Sequence, residues 1–313
     1  MPTQRRVNVK PTDSNGIEKK IKRGNAQRQA SFWKRPLGYL LVLITLGACF
    51  VLGWLYVSWD NEITETLVRQ GEVVQKPRLF KVECSEDYDS YKRYPGCTPQ
   101  ICGRAVTDAV VTHEEAHVLR RLAERGLSLA GSDGGASILD LHSGALSMGK
   151  QFVNIYRYFG EQIKEVFSEE DFQLYRVVRA RIQAVIAETF GLDPSRMYLT
   201  KPTFFSRMNS TEAKTTHDEY WHPHIDKVTY GSFDYTSLLY LSDYGRDFGG
   251  GRFIFMDADG NRTVEPRAGR VSFFSSGSEN LHRVEKVWWG TRFAITVSFT
   301  CDPDHAIADP TLP

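Results

Sequence analysis

Between Pro36 and Trp59 the chain carries no charged residue: PLGYLLVLITLGACFVLGWLYVSW. A run of this length can cross a bilayer as a helix. A secretory signal peptide has a shorter apolar run and a small-residue cleavage site. Trp54, Tyr56 and Trp59 gather at one end, where an aromatic belt belongs, and Lys34 and Arg35 flank the other. Residues 1–35 hold ten Lys and Arg against Asp13 and Glu18, a net +8, so the remainder carries −7 of the chain's +1. Basic flanks stay in the cytosol. The expectation is a single-pass type II membrane protein, its N-terminus cytosolic and residues 60–313 in the lumen of the endoplasmic reticulum or Golgi. A mildly acidic folded part argues against nucleic acid as a partner.

Cysteines and sequons agree with that side of the membrane. Cys49 lies in the apolar run, which leaves Cys84, Cys97, Cys102 and Cys301 as an even set for disulfides, with the pairing open. Asn209-Ser210-Thr211 and Asn261-Arg262-Thr263 are glycosylation sequons.

The expected order is a basic tail (1–35), a transmembrane helix (36–59), a lumenal stem with cysteines (60–105), a helical region (106–197), a strand-rich core (198–301) and a C-terminal tail (302–313). In the helical region Thr112 with Glu115, and Ser168 with Asp171, read as N-terminal caps, and Gly191 ends the longer helix. SDGGAS at 132–137 reads as a flexible loop. From about Met197 short runs rich in Val, Ile, Phe, Tyr and Thr alternate with Gly and Asp clusters, the pattern of a sandwich or jelly roll.

Two motifs invite over-reading. HEEAH at 113–117 has zinc-protease spacing, but Thr112 as cap puts His113 in a first helical turn, and no Gly-x-x-His follows. GALSMGK at 144–150 resembles a phosphate loop, yet Gln151 stands where a Ser or Thr is required.

EYWHPHIDKVTYG, 219–231, reads as strand, which places His224 and Asp226 on one face. His282 follows 56 residues after Asp226 in another strand-like run. Two histidines and a carboxylate can occupy one face of an octahedral Fe(II) centre and leave the other open. His222 shares that face and could stand in or support. His142, His217 and His305 read as surface residues. Arg292 stands in an apolar strand, where an unpaired charge is costly. Alternation sets Arg292, Ala294, Thr296 and Ser298 against Phe293, Ile295, Val297 and Phe299. A guanidinium among small polar residues suits a bound carboxylate, and Tyr240 on another strand could add a hydroxyl.

His224-x-Asp226, then Gly249-Gly250-Gly251-Arg252-Phe253, then LHRVEKVWWGTRFAITVSF resembles the prolyl 4-hydroxylase branch of the iron- and 2-oxoglutarate-dependent dioxygenases. The resemblance spans roughly 198–301. It implies an α+β protein with a double-stranded β-helix (jelly roll) core preceded by packing helices. It implies Fe(II) on His224, Asp226 and His282. It also implies 2-oxoglutarate on Arg292, with Tyr240 and Thr296 beside it, and ascorbate as a further cofactor. The reaction implied hydroxylates a C–H bond, of a lumenal protein side chain, and releases succinate and CO2. The collagen-type enzymes carry Lys where this chain has Arg292, so a collagen substrate does not follow. The alternative is a membrane-tethered jelly roll that binds without turnover.

Overall fold

The computed structural model describes residues 34–59, 63–89 and 93–313. The chain divides into two compact units, Met1–Glu62 and Ile63–Pro313. In the first, α1 (Lys34–Trp59) is one continuous helix of 26 residues. Its described side chains, 39–53, are all exposed. Among the described residues no helix is long and apolar enough to cross a membrane. The basic arm, and the side chains of Trp54, Tyr56 and Trp59, lie outside the described residues.

The second unit is a jelly-roll-like α+β fold. Its smaller sheet runs β1 (Ile63–Val68), β11 (Gly260–Val264), β10 (Phe253–Asp257), β13 (His282–Val284). The larger sheet runs β2 (Arg78–Val82), β3 (Cys102–Thr107), β12 (Val271–Ser275), β8 (Tyr235–Tyr240), β14 (Val287–Thr300) and β7 (Tyr198–Asn209). It continues through β4 (Ala136–Leu139), β5 (Ala145–Met148) and β6 (Gln151–Asn154), and β9 (Phe248–Gly250) pairs with β14. The strand pairings of this sheet among the described residues are antiparallel.

Period-two patterning sorts β14 as its sequence predicts. Phe293, Ile295, Val297 and Phe299 face one apolar core, shared with α2 (His113–Ser128) and α5 (Glu169–Phe190). Ala294, from the other set, joins Leu238, Phe253, Phe255, Phe274 and Val284 in a second core between the sheets. The candidate site lies against this second core. Two short helices, α3 (Ile155–Phe159) and α4 (Ile163–Val166), precede α5. Both predicted capping boxes form, Thr112 with Glu115 and Ser168 with Asp171. Gly191 closes α5 at φ 69°, a left-handed conformation that favours glycine.

Three expectations change. The segment expected as a stem is part of the fold: β1 pairs with β11, and β2 and β3 extend the large sheet. The region expected to be helical also contributes β4, β5 and β6, so SDGGAS ends in a strand and GALSMGK is a hairpin turning at Gly149. The reading of 219–231 as strand fails. His224 sits in an isolated bridge, and Asp226 opens the short helix α6 (Asp226–Tyr230). Local alternation of aromatic and polar residues is overridden there by the loop between β7 and β8.

The cysteines pair as Cys84–Cys102 and Cys97–Cys301. Cys49 is free and exposed.

Candidate metal and co-substrate site

His224 and His282 face each other through paired backbone bonds. The His224 amide donates to the His282 carbonyl at 2.9 Å, and the His282 amide donates back at 3.1 Å. Their ring centroids are 4.4 Å apart. Asp226 follows His224 by two residues and opens α6, whose next residue, Lys227, donates its amide to the Ser276 carbonyl at 2.9 Å. Asp226 Oδ1 lies 3.6 Å from His224 Nε2 and 3.7 Å from His282 Nε2. One ligand atom from each residue falls within 4.8 Å of the others, the one such group of three among the described residues. His113 and His117 touch ring to ring on α2, with no third ligand among the described residues.

Each ligand is held by its other polar atom. His224 Nδ1 lies 3.0 Å from the His222 carbonyl, and His282 Nδ1 lies 2.8 Å from the Asn280 carbonyl. A carbonyl only accepts, so each Nδ1 carries a proton and each Nε2 is the ring nitrogen turned toward the other ligands. The Thr236 hydroxyl donates to Asp226 Oδ2 at 2.6 Å, which leaves Oδ1 facing the imidazoles. Burial pushes His282 down to about 4, against the opposing pull of the Asp226 carboxylate. It is therefore neutral at physiological pH, the protonation state a metal ligand needs. Phe253 stacks on its ring with centroids 4.9 Å apart, and Phe274 meets it edge-on.

The triad opens on a cavity of about 210 Å³ that is also lined by Thr236, Phe204, Met208, Tyr220, Arg292 and Thr296. Space for several water molecules is enough for a small dicarboxylate. Among the described residues three arginines are fully buried, and Arg292 alone of them lines this cavity. Arg104 forms a two-pronged pair with Asp257. Arg270 does the same with Asp108. Arg292 has no carboxylate partner among the described residues. Its Nε donates to the Gly251 carbonyl at 2.9 Å, Nη1 approaches Met208 Sδ at 3.6 Å, and Nη2 is buried without a hydrogen-bond partner. A buried guanidinium with an orphan N–H in a cavity that also holds three metal-type ligands fits Fe(II) and an anionic co-substrate.

Thr296 lines the cavity. Tyr240 does not: its hydroxyl pairs with Ser272 Oγ at 3.0 Å, and its ring lies 5.6 Å from the Arg292 guanidinium carbon. Alternation placed it on the right face, but the side chain packs into the sheet interface. Tyr220 lines the cavity instead, its hydroxyl accepting from the Val287 amide at 2.9 Å. It lies in the quoted 219–231 stretch, yet no spacing rule picks it out. His222 contributes its carbonyl, while its ring turns outward to Glu219. His142, expected at the surface, is half-buried between Tyr175 and the Ala308 carbonyl, and burial lowers its pKa. His217 is exposed at the cavity rim, and His305 is exposed. Asn209 Oδ1 accepts from the Thr211 amide, and Asn261 sits in β11 between β1 and β10.

Residues 207–300 match the family described as the 2OG-Fe(II) oxygenase superfamily. The chain is 60% identical over 323 residues to human 2-oxoglutarate and iron-dependent oxygenase domain-containing protein 3, covering 100% of both chains. The Xenopus tropicalis protein of that name is 66% identical over 286 residues, 91% of this chain and 90% of its own. Mouse prolyl 3-hydroxylase 1 is 32% identical over 155 residues, which is 44% of this chain but 20% of that protein. With this kinship and this cavity together, the chain belongs to the 2OG-Fe(II) oxygenase superfamily and is a dioxygenase that uses Fe(II) and 2-oxoglutarate.

Proposed function

We propose that the protein is a membrane-anchored, lumenal hydroxylase acting on a C–H bond of a protein side chain. His224, Asp226 and His282 hold Fe(II), and Arg292 pairs with the distal carboxylate of 2-oxoglutarate, with Thr296 beside it. Bound there, metal and co-substrate would activate dioxygen, one oxygen atom entering succinate as 2-oxoglutarate loses CO2 and the other entering the new hydroxyl of the substrate. The chain's own part is positional. The His222 and Asn280 carbonyls hold the imidazoles in one tautomer. Thr236 orients the carboxylate. Phe253 and Phe274 keep the His282 side of the site dry. Ascorbate is the accompanying reductant. The observation that carries this reading is the buried Nη2 of Arg292, without a hydrogen-bond partner among the described residues, in the cavity of the triad.

The uncharged run 36–59 supports a type II anchor with a cytosolic N-terminus, in the endoplasmic reticulum or Golgi. The two disulfides accord with an oxidising lumen. Likeness to a prolyl 3-hydroxylase supports a protein substrate. Glycans on Asn209 and Asn261 belong to the same reading.

The test needs no substrate. Detergent-solubilised full-length protein under anaerobic conditions, given Fe(II) and then 2-oxoglutarate, is expected to develop a visible charge-transfer band. His282→Ala should abolish it and Arg292→Ala should weaken it. A band indifferent to both substitutions would move metal and co-substrate away from these residues.

A further inference from the structure

The loop between β12 and β13, residues 276–281, carries two of the three ligands at one remove. Asn280 supplies the carbonyl that holds His282 Nδ1. Ser276 accepts the Lys227 amide at 2.9 Å, immediately after Asp226, and its hydroxyl meets Thr236 Oγ1 at 2.9 Å. Thr236 in turn holds Asp226. A shift of this loop therefore moves an imidazole and the carboxylate together.

The segment after Cys84 clamps that loop from outside. The Gly277 amide donates to the Tyr88 hydroxyl at 2.6 Å, and that hydroxyl donates to Glu279 Oε1 at 3.0 Å. The Ser278 amide donates to Asp87 Oδ2 at 2.6 Å. Glu279 also accepts from Ser275 Oγ at 2.6 Å. Tyr88 is 4% exposed, and the Lys227 ammonium lies 5.4 Å from its ring centroid. It thus touches the residue following Asp226 as well as the loop preceding His282. A Cβ on Gly277 would come within 2.8 Å of the Tyr88 hydroxyl and closer still to Ser85 Oγ and Glu279 Oε2, so a larger residue there requires these side chains to move. Cys84 is bonded to Cys102 at the start of β3, the neighbour of β12, which ties the clamp to the sheet beneath the loop.

We infer that Tyr88, secured by the Cys84–Cys102 disulfide, is a positioning residue for the metal centre. The inference rests on the triad being the metal site. Tyr88→Phe keeps the ring and removes the hydroxyl, leaving the Gly277 amide and Glu279 short of a partner. Expected is a fall in Co(II) affinity of about tenfold, the low end for loss of a partner that orients a ligand. It is read by anaerobic calorimetric titration of the full chain without 2-oxoglutarate. Cys84→Ser with Cys102→Ser should weaken Co(II) in the same direction. Ile182→Val, a core change in α5, controls for general destabilisation and should leave affinity unchanged. Wild-type affinity in Tyr88→Phe, or an equal loss in Ile182→Val, overturns the inference. Failure of the wild type itself to bind Co(II) would instead sink the metal-site reading.

Discussion

The guanidinium of Arg292 is 1% exposed and has the Gly251 carbonyl as its oxygen partner, whereas Arg104 and Arg270 each hold a carboxylate. A buried charge without its counter-ion costs stability. Arg292→Leu is therefore expected to raise the stability of the cofactor-free protein by about 1–2 kcal/mol while weakening 2-oxoglutarate binding. Urea unfolding with calorimetry checks both, and a drop in stability contradicts the reading of Arg292 as an uncompensated cation. His282 gives a pH signature of opposite origin. Its folded value of about 4 lies below the ordinary 6.5. Between those values the unfolded chain binds the extra proton, so stability of the metal-free protein rises with pH across that window and is lost on acidification through it. Unfolding measured from pH 4 to 7 should show this slope, and His282→Gln should flatten it. Both residues were legible in the sequence, because a histidine and an arginine in apolar strands are expensive enough to need a reason. Tyr88 and Tyr220 were not, because a tyrosine in a loop carries no such penalty and their roles rest on contacts distant in sequence.

At the scale of elements, the glycines Gly249–Gly251 at the end of β9 set where Arg292 can lie. Gly250 and Gly251 have φ of 72° and 65°, and a Cβ on Gly251 would stand 3.0 Å from Arg292 Cδ. Gly251→Ala should displace the guanidinium and weaken 2-oxoglutarate roughly tenfold or more, with Co(II) binding intact in the same titration. Loss of the metal as well would mean that these glycines support the whole site. By contrast, Thr112→Ala at the α2 cap should cost about 1 kcal/mol of stability and leave both ligands bound, because α2 packs on the other face of the large sheet. Caps and strand alternation were readable because both are local. The misread 219–231 segment and the strands within the helical region follow the opposite rule. Pairing partners from elsewhere in the chain, His282 for His224 and β7 for β4, decide those conformations.

Across the whole molecule, Cys97–Cys301 closes a separation of 204 residues and joins the segment before β3 to the end of β14. Removing it in Cys97→Ser with Cys301→Ser should lower stability by about 2–5 kcal/mol, measured by thermal unfolding with and without reductant. The lumenal placement has its own check: carbonate extraction should leave the chain with membranes, and glycosidase should shift its mobility unless Asn209 and Asn261 are changed to Gln. Recovery in the soluble fraction, or an unshifted band, argues against that placement. Some of this molecule was determined by the sequence alone. The apolar run, the helix caps, the alternating faces of β14 and the identities of His224, Asp226, His282 and Arg292 depend on the chemistry of neighbouring residues. The rest was decided by tertiary structure. Which cysteines join, why the 60–105 segment belongs to the sheets, which tyrosine meets the cavity and how the 276–281 loop is held are settled by residues far apart in the chain. Such contacts have no period or spacing, since what selects them is the burial of polar groups that must find partners once the two sheets close.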